Sequence, residues 1–104
     1  MRKSVAKKPS NQWFVYILEC ANGRLYTGIT TNLAERFHKH ISGKGAMFTR
    51  LNRPSHMVAA KRCRDRSDAS KLEWMIKKLS PQKKRALASQ WPTVKDLPKL
   101  GLAD

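Results

Sequence analysis

The sequence predicts one domain of the α/β (α+β) class, in which three helices flank a three-stranded, mostly antiparallel sheet. The chain has 104 residues, a length that suits one compact domain. Residues 13–20 and 24–30 are two strand-like segments on either side of an Asn-Gly turn signal. Three later segments combine helix-capping residues with apolar positions at helical spacing.

Three segments have the composition of strands. Residues 13–20 (WFVYILEC) are apolar almost throughout, which is typical of a strand covered on both faces. Residues 24–30 (RLYTGIT) and 56–63 (HMVAAKRC) are the other two strands, and the alanines weaken the last of them. Residues 44–55 between them form a basic loop with room for one helical turn.

The first two strands form a hairpin whose register decides where two tyrosines point. A two-residue loop, Asn22-Gly23, would pair Glu19 with Tyr26. Side chains alternate between the faces of a strand, so this pairing would put Tyr16 and Tyr26 on opposite faces.

A three-residue loop is the alternative, and it ends in a left-handed Gly23. It pairs Cys20 with Arg24 and places both tyrosines on one face. Gly28 then lies opposite Tyr16, where it would leave open space beside the ring. The local sequence leaves both registers open, although Asn-Gly by itself favours the shorter loop.

The first predicted helix lies between Asn32 and Gly43. Asn32 followed by Glu35 indicates a capping box, and Gly43 indicates the end of the helix. At about 100° per residue, Arg36 and His40 fall along one edge of the apolar stripe. That stripe consists of Leu33, Phe37 and Ile41.

The second and third predicted helices follow the last strand. The second lies within residues 65–79, with Ser67 or Asp68 as its cap. The third begins with Ser80 as N-cap and Pro81 at the first helical position, and it ends near residue 89. The side chains that the second helix is expected to bury are Leu72, Met75, Ile76 and Leu79.

Three units follow from the charge and the patterning. We expect a flexible basic arm over residues 1–12, the folded domain over residues 13–92 and a C-terminal tail over residues 93–104.

There are 22 Lys and Arg against 7 Asp and Glu, a net charge of +15, which indicates an anionic partner. No apolar run approaches the roughly 20 residues that span a bilayer, and the predicted helices carry core-facing surface. Nucleic acid is therefore favoured over a membrane, and a cytoplasmic location is expected.

The cysteines give no metal or disulfide signal. Cys20 and Cys63 do not form a CxxC pair, and the three histidines lack zinc-finger spacing. A disulfide would be unusual in an intracellular chain. Both cysteines are interpreted as small buried apolar residues.

Two short motifs around the hairpin carry a resemblance to a known family. "VYI" (15–17) precedes the turn, "YTG" (26–28) follows it, and Arg36 lies ten residues beyond Tyr26 on a helix. This order resembles the GIY-YIG nuclease family, in particular its small stand-alone bacterial members and the N-terminal domain of the excision-repair nuclease. The motifs depart from the family's Gly-Ile-Tyr and Tyr-Ile-Gly, but both tyrosines and the glycine are kept.

The resemblance extends over residues 13–83. His40 matches a position where the family usually has His or Tyr, and Glu73 matches its metal-binding glutamate. Several members also carry an asparagine about a dozen residues beyond this glutamate, and here that place is near Arg85.

The resemblance implies a fold, an activity and a set of roles. It implies a metal-dependent endonuclease that hydrolyses phosphodiesters in DNA, in repair or related processing, with one Mg²⁺ or Mn²⁺ held by Glu73. Arg36 would bind the phosphate, Tyr16 would activate water as general base, and His40 would take or orient its proton. Tyr26 would position the phosphate or water.

Two protonation states follow from those roles. A tyrosine that acts near pH 7 needs its pKa lowered by about three units from the reference value, and the neighbouring cation, guanidinium and imidazole are expected to lower it. As proton acceptor His40 must be neutral, so activity is expected to fall below roughly pH 6.5.

Further basic residues are expected to follow the nucleic-acid backbone, with DNA preferred to RNA as the partner. Nothing among them indicates readout of base edges, and no protein partner is identified. The alternative is a non-catalytic nucleic-acid-binding module that keeps the nuclease fold. The candidate contacts are Lys44, Arg50, Arg53, Lys61, Arg62 and Arg64.

Overall fold

A computed structural model of the protein describes residues 12–91. The predicted basic arm, apart from Gln12, and the predicted C-terminal tail lie outside the described residues. The strands are β1 (Trp13–Cys20), β2 (Leu25–Thr30) and β3 (Pro54–Cys63), and the helices are α1 (Leu33–Ile41), α2 (Met47–Leu51), α3 (Arg66–Lys77) and α4 (Pro81–Ala88).

The predicted fold class is confirmed. The three strands form an antiparallel sheet in the order β2-β1-β3, so the apolar strand β1 lies in the middle. The described residues form four helices rather than three, because α2 forms within the basic loop. Strand β3 begins two residues earlier than predicted, at Pro54, which is a position where a strand tolerates proline.

The hairpin adopts the longer of the two loops. The Gly23 amide donates to the Cys20 carbonyl at 2.8 Å, the Cys20 amide donates to the Arg24 carbonyl at 2.8 Å, and Gly23 has φ +87°. The left-handed glycine completes a G1 bulge. Tyr16 therefore pairs with Gly28, and the register places both tyrosines on one face of the sheet.

The two faces of the sheet bury different clusters. The tyrosine face, which we define by Phe14, Tyr16 and Leu18 of β1, packs against α1. The opposite face packs against α3 and α4. Its cluster consists of Val15, Ile17, Leu25, Ala59, Ala69, Ile76, Ala88 and Trp91.

Helix α1 has the predicted N-cap but a different buried stripe. The Asn32 side chain accepts a hydrogen bond from the Glu35 amide. Ile41, predicted to be core, is 43% exposed, whereas His40 is 1% exposed. At 100° per residue Ile41 lies about 80° from Leu33, but His40 lies only about 20° from it, so His40 turns toward the sheet.

Helix α3 corrects two predictions. Its N-cap is Asp65, whose carboxylate accepts from the Asp68 amide at 2.9 Å, so the cap is neither Ser67 nor Asp68. Met75 is 54% exposed rather than buried, because the buried stripe of α3 is narrow. That stripe consists of the buried Ala69 and Ile76 and the half-buried Leu72, and Leu79, also predicted to be buried, is only half-buried.

Helix α4 and the cysteines behave largely as predicted. Ser80 caps α4 and Pro81 occupies its first position. Both cysteines are free; Cys20 is buried, but Cys63 at the end of β3 is only half-buried. Among the described residues, no helix has both the length and the hydropathy that a membrane crossing requires.

Candidate active site

A buried tyrosine–histidine pair forms the floor of the site. The Tyr16 hydroxyl lies 2.8 Å from Nε2 of His40, and the two side chains are each 1% exposed. Strand β1 supplies Tyr16, and α1 supplies His40 from across the tyrosine face. Tyr16 and His40, which are 24 residues apart in the sequence, therefore share one hydrogen bond.

The other nitrogen of the imidazole is bound by a residue of α2. Nδ1 of His40 lies 2.7 Å from the Thr49 hydroxyl, and that hydroxyl donates its own proton to the Ala46 carbonyl at 3.0 Å. A threonine hydroxyl has one proton, and when that proton is on the Ala46 carbonyl the oxygen accepts from His40. This arrangement favours the tautomer that is protonated at Nδ1, in which the lone pair of Nε2 points at the Tyr16 hydroxyl.

Two glycines make room for this pair. A Cβ on Gly28 would lie 2.7 Å from Cζ of Tyr16, and a Cβ on Gly45 would overlap Nδ1 of His40 and lie 2.9 Å from its Cε1. The sequence predicted open space beside Gly28. That prediction is wrong, because the end of the Tyr16 ring fills the space. Tyr16 and His40 therefore fit in these positions because residues 28 and 45 are glycines, which have no side chain.

Tyr26 is half-buried and lies at the rim of the site. Its ring centroid is 6.3 Å from that of Tyr16 and 5.1 Å from that of His40, and Phe48 of α2 lies 5.8 Å away on another side. Within residues 12–91 the Tyr26 hydroxyl makes no hydrogen bond. The two tyrosines therefore converge, and of their hydroxyls only that of Tyr16 has a partner in the part of the chain that the structure describes.

Burial and charge set the protonation of the floor residues. Burial, with the nearby Tyr26 and Glu73, raises the pKa of Tyr16 above its ordinary value near 10, although Arg36 opposes this shift. Without a bound cation, the protein's own groups therefore raise the pKa of Tyr16 rather than lower it. Burial and Arg36 together hold the pKa of His40 below 6.5. At pH 7 the pair therefore consists of a neutral phenol and a neutral imidazole.

Arg36 and Glu73 are the charged residues at the rim. Arg36 lies one helical turn before His40 on α1, is half-buried, and forms no ion pair within the described part of the chain. Glu73 of α3 is 22% exposed at its side chain, and its Oε2 lies 3.1 Å from Nζ of Lys77. That ammonium lies 5.9 Å from the Tyr26 ring centroid, so this side of α3 reaches the tyrosines.

The donor chemistry at the rim suits one hard cation. Between residues 12 and 91 no three His, Cys, Asp or Glu side chains cluster as a set of metal ligands. Glu73 is a single carboxylate, and Mg²⁺ commonly binds through one carboxylate, waters and a substrate phosphate. A four-ligand zinc site does not fit this arrangement.

Comparison with known proteins decides the family. A model of the GIY-YIG catalytic domain matches residues 12–86. The chain belongs to the GIY-YIG domain family. Similar proteins include the UPF0213 protein of Desulfotalea psychrophila, 59% identical over 76 residues, which cover 72% of this chain and 69% of the relative. The UPF0213 protein of Cupriavidus necator is 46% identical over 80 residues, which cover 77% and 87%.

A solved structure extends the match to the fold. The solution NMR structure of the UPF0213 protein from Bacillus halodurans is 39% identical, with a TM-score of 0.51. The match covers 88% of this chain and 98% of that chain. The predicted family and fold are therefore confirmed, and the roles of individual residues stay predictions.

The place near the family's late asparagine has a structural role in this GIY-YIG domain. Arg85 donates to both carboxylate oxygens of Glu19, at 3.3 and 3.4 Å, and to the Gly23 carbonyl at 2.9 Å. His56 lies 3.7 Å from the same carboxylate. Arg85 thus ties α4 to the hairpin loop and does not join the tyrosine pair.

The six predicted nucleic-acid contacts are all exposed but do not form one stripe. Lys44 directly precedes Gly45, and Arg50 directly follows Thr49, so these two adjoin the His40 side of the site. Arg64 is in an ion pair with Asp68 at 3.2 Å.

Two of the other three predicted contacts lie on opposite faces of the sheet, and the third precedes β3. Arg62 pairs with Phe14 and therefore shares the tyrosine face, whereas Lys61 pairs with Val15 and points to the opposite face. Arg53 precedes β3, and its carbonyl accepts from the Ala21 amide of the hairpin loop.

Sequence reasoning missed Thr49 and Gly45. Both lie within residues 44–55, a segment that the sequence predicts to be a basic loop. A glycine four residues past the end of α1 and a threonine four residues later carry no local signal that predicts a contact with His40. Only the approach of α2 to α1 brings them to His40.

Proposed function

We propose that this protein is a metal-dependent endonuclease that hydrolyses phosphodiester bonds in DNA and recognises backbone and structure rather than base sequence. One observation carries the proposal: a buried Tyr16–His40 hydrogen bond lies beside a carboxylate and a guanidinium that has no ion-pair partner among residues 12–91. Phosphodiester hydrolysis needs a proton acceptor, a donor for the phosphate and a cation site. The proposed site supplies all three.

Arg36 binds the scissile phosphate in this proposal. Its guanidinium presents donors in a planar fork that matches two phosphate oxygens. It forms no ion pair within residues 12–91, so a phosphate displaces no protein carboxylate from it. The free hydroxyl of Tyr26 hydrogen-bonds to the phosphate or to the attacking water at the same rim.

Tyr16 and His40 move the proton of the attacking water. The water gives a proton to the Tyr16 oxygen while the hydroxyl proton of Tyr16 passes to Nε2 of His40 over the 2.8 Å hydrogen bond. The water oxygen bonds to phosphorus, and the bond to the leaving oxygen breaks. Because Tyr16 is buried, the water has to enter past the rim before it meets this oxygen.

This route removes the need for a stable phenolate. The pKa of Tyr16 is raised, so a phenolate would hardly be populated at pH 7. The proton acceptor of the site is then the neutral imidazole of His40, acting through Tyr16 as general base. The pKa of His40 below 6.5 keeps that imidazole neutral at pH 7.

Glu73 holds the divalent cation, Mg²⁺ or Mn²⁺. When bound, such a cation supplies charge for the phosphate oxygens and the leaving oxygen. Glu73 has to leave Lys77 to take up this role, and an i,i+4 ion pair on a helix is worth about 0.3–0.5 kcal/mol.

The test is cleavage of single-stranded, duplex and branched DNA, and of RNA, in Mg²⁺, Mn²⁺ or EDTA. The variants are Tyr16→Phe, which removes only the hydroxyl, and Glu73→Gln, which keeps the shape of the carboxylate. Glu35→Gln is the matched control, because Glu35 is an exposed carboxylate whose side chain forms no ion pair among the described residues. Cleavage is expected in Mg²⁺ or Mn²⁺, retained in the control and lowered at least a hundredfold in both site variants.

Two results would overturn the proposal. Binding of DNA without cleavage under every metal condition would leave the non-catalytic module as the function. Cleavage that survives both site variants would show that these side chains do not perform the reaction.

A further inference from the structure

The outer side of α3 exposes two large apolar residues beside the proposed site. Trp74 is 63% exposed and Met75 is 54% exposed, although the same helix buries its other side against the sheet. Adjacent exposed apolar side chains that form one patch indicate an interaction site, whereas single exposed apolar residues do not. Trp74 directly follows Glu73, so it lies next to the proposed cation site.

An open groove of about 430 Å³ runs along this side of the helix. Its walls are almost entirely apolar, and its lining residues are Ser70, Lys71, Trp74 and Met75. Ser70 and Lys71 lie one turn before Trp74, whereas Lys78 lies one turn after it, with its ammonium 3.4 Å from the ring centroid. The groove and this ammonium therefore flank opposite sides of the indole.

The charge around the groove is positive. The two carboxylates of α3, Asp68 and Glu73, are already in ion pairs with Arg64 and Lys77. Lys71 and Lys78 form no ion pair within residues 12–91. A ligand that fits has to combine a flat apolar surface with negative charge.

These observations favour a nucleotide over a protein surface. A second copy of the chain would bring its own Lys71 and Lys78 against this pair, and like charges at an interface are unfavourable. A nucleobase stacks on an indole, and the phosphates on either side of it pair with ammonium groups. Bases that are already paired and stacked in a duplex cannot offer such a face.

We propose that Trp74 is a stacking platform for an unpaired base of the substrate, with Lys71 and Lys78 bound to the flanking phosphates. The inference rests on the proposed function and names its substrate class: nucleic acid with unpaired nucleotides next to the cleaved bond. Glu73 and Trp74 are adjacent on one helix. The stacked base therefore lies only a few base steps, of about 3.4 Å each, from the scissile phosphate.

The test compares binding to a single strand and to a duplex. The probes are a fluorescently labelled 12-nucleotide oligothymidylate and a blunt 12-base-pair duplex, and anisotropy is measured in EDTA so that no cleavage occurs. Stacking on an aromatic side chain is worth about 1–3 kcal/mol per base. Trp74→Ala is therefore expected to weaken single-strand binding by about 5- to 150-fold and to change duplex binding less than about twofold.

Two variants make the test specific. Trp74→Phe keeps an aromatic face and is expected to retain most of the single-strand affinity. Lys71→Ala is expected to lower the salt dependence of single-strand binding by about one phosphate contact, or about 0.7 in the log–log slope. Circular dichroism checks that the variants fold. Trp74 and Lys71 are both exposed, so we expect their replacement to leave the fold intact.

Photocrosslinking gives the position directly. An oligonucleotide that contains 5-iodouracil is expected to form its main adduct on the peptide that carries Trp74, identified by mass spectrometry. An adduct confined to peptides of β3 would contradict the proposed platform.

The outcomes separate this inference from the proposed function. Cleavage by the wild type, together with unchanged single-strand binding by Trp74→Ala or an equal loss on the duplex, overturns only the stacking platform. If Trp74→Ala instead abolishes self-association in sedimentation velocity and leaves single-strand binding intact, the groove is a protein interface. If the wild type neither binds nor cleaves nucleic acid, the proposed function fails and the platform fails with it.

Discussion

Replacing Thr49 with valine would test the proton arrangement of the site. Valine has nearly the shape of threonine but cannot accept the hydrogen bond from Nδ1 of His40. The wild-type bond is 2.7 Å long, Thr49 is 2% exposed and His40 is 1% exposed, so water does not replace the lost acceptor. The variant therefore either leaves a buried N–H without a partner or moves that proton to Nε2.

Both consequences can be given a magnitude. A buried donor without a partner costs about 1–3 kcal/mol of folding free energy. In a domain of this size each kcal/mol lowers Tm by roughly 4–8 °C. If the proton moves to Nε2, the imidazole loses the lone pair that faces Tyr16, and in the proposed mechanism kcat falls at least tenfold while KM changes little.

Two measurements check this prediction. Urea unfolding gives the loss of stability, and Thr49→Ser, which keeps the hydroxyl, is expected to lose less than half as much. Long-range ¹H–¹⁵N correlation of the imidazole at pH 7 reports the tautomer, with Nδ1 protonated in the wild type. A wild type protonated at Nε2, or a Thr49→Val variant as stable as the wild type, would refute the reasoning.

Three further predictions concern stability. Gly45→Ala should cost about 1–3 kcal/mol in urea unfolding, because its Cβ would collide with an imidazole ring that is fixed at both nitrogens. Thr27→Val should raise stability by about 1 kcal/mol, because the buried Thr27 hydroxyl has no partner in the described part of the chain. His40 should make the folded state less stable as the pH falls below about 6.5, since burial and Arg36 hold its folded pKa below that of the unfolded chain and unfolding takes up a proton. Urea unfolding between pH 4 and pH 8 measures this slope.

Each of these predictions has a matched control. Gly43→Ala meets no atom within 4 Å but has φ +82°, so it should lose only about 1 kcal/mol and leave the His40 signals unshifted. Thr30→Val should destabilise rather than stabilise, because the Thr30 hydroxyl bonds to the backbone of Asn32 at both 3.0 and 3.2 Å. His40→Asn should flatten the pH dependence below 6.5; an unchanged slope would mean that the carboxylates cause it.

Local signals in the sequence predicted the elements that depend on local physics. Asn32 and Ser80 cap their helices as predicted, because a side chain three residues from an amide needs no tertiary contact to reach it. The hairpin shows the limit of such reasoning. Asn-Gly supports two loop lengths, and the choice between them depends on which residues of β1 and β2 are buried together.

The wrong predictions of buried side chains arose because the burial of a side chain depends on which other element covers its helix. A stripe at every fourth residue predicts that Ile41 is buried, although Ile41 lies about 80° around the helix from Leu33. His40, seven residues after Leu33, lies only about 20° from it. Helical spacing also predicts that Met75 of α3 is buried, but nothing in the described chain covers the outer side of this helix. The family resemblance placed His40 in the site, but its burial follows from helix geometry.

The direction of the pKa shift of Tyr16 could not be predicted from the sequence, because it depends on burial as well as on neighbouring charge. A list of neighbours contains Arg36 beside Tyr16 and suggests a lowered pKa. The fold buries the phenol completely, and the cost of placing a charge there exceeds the effect of the guanidinium. The same burial and the same guanidinium keep His40 neutral, and Thr49 turns its lone pair toward Tyr16. A neutral acid and a neutral base are thus held 2.8 Å apart, and in the proposed mechanism the hydroxyl proton passes to Nε2 of His40 as the Tyr16 oxygen takes up a proton from the attacking water.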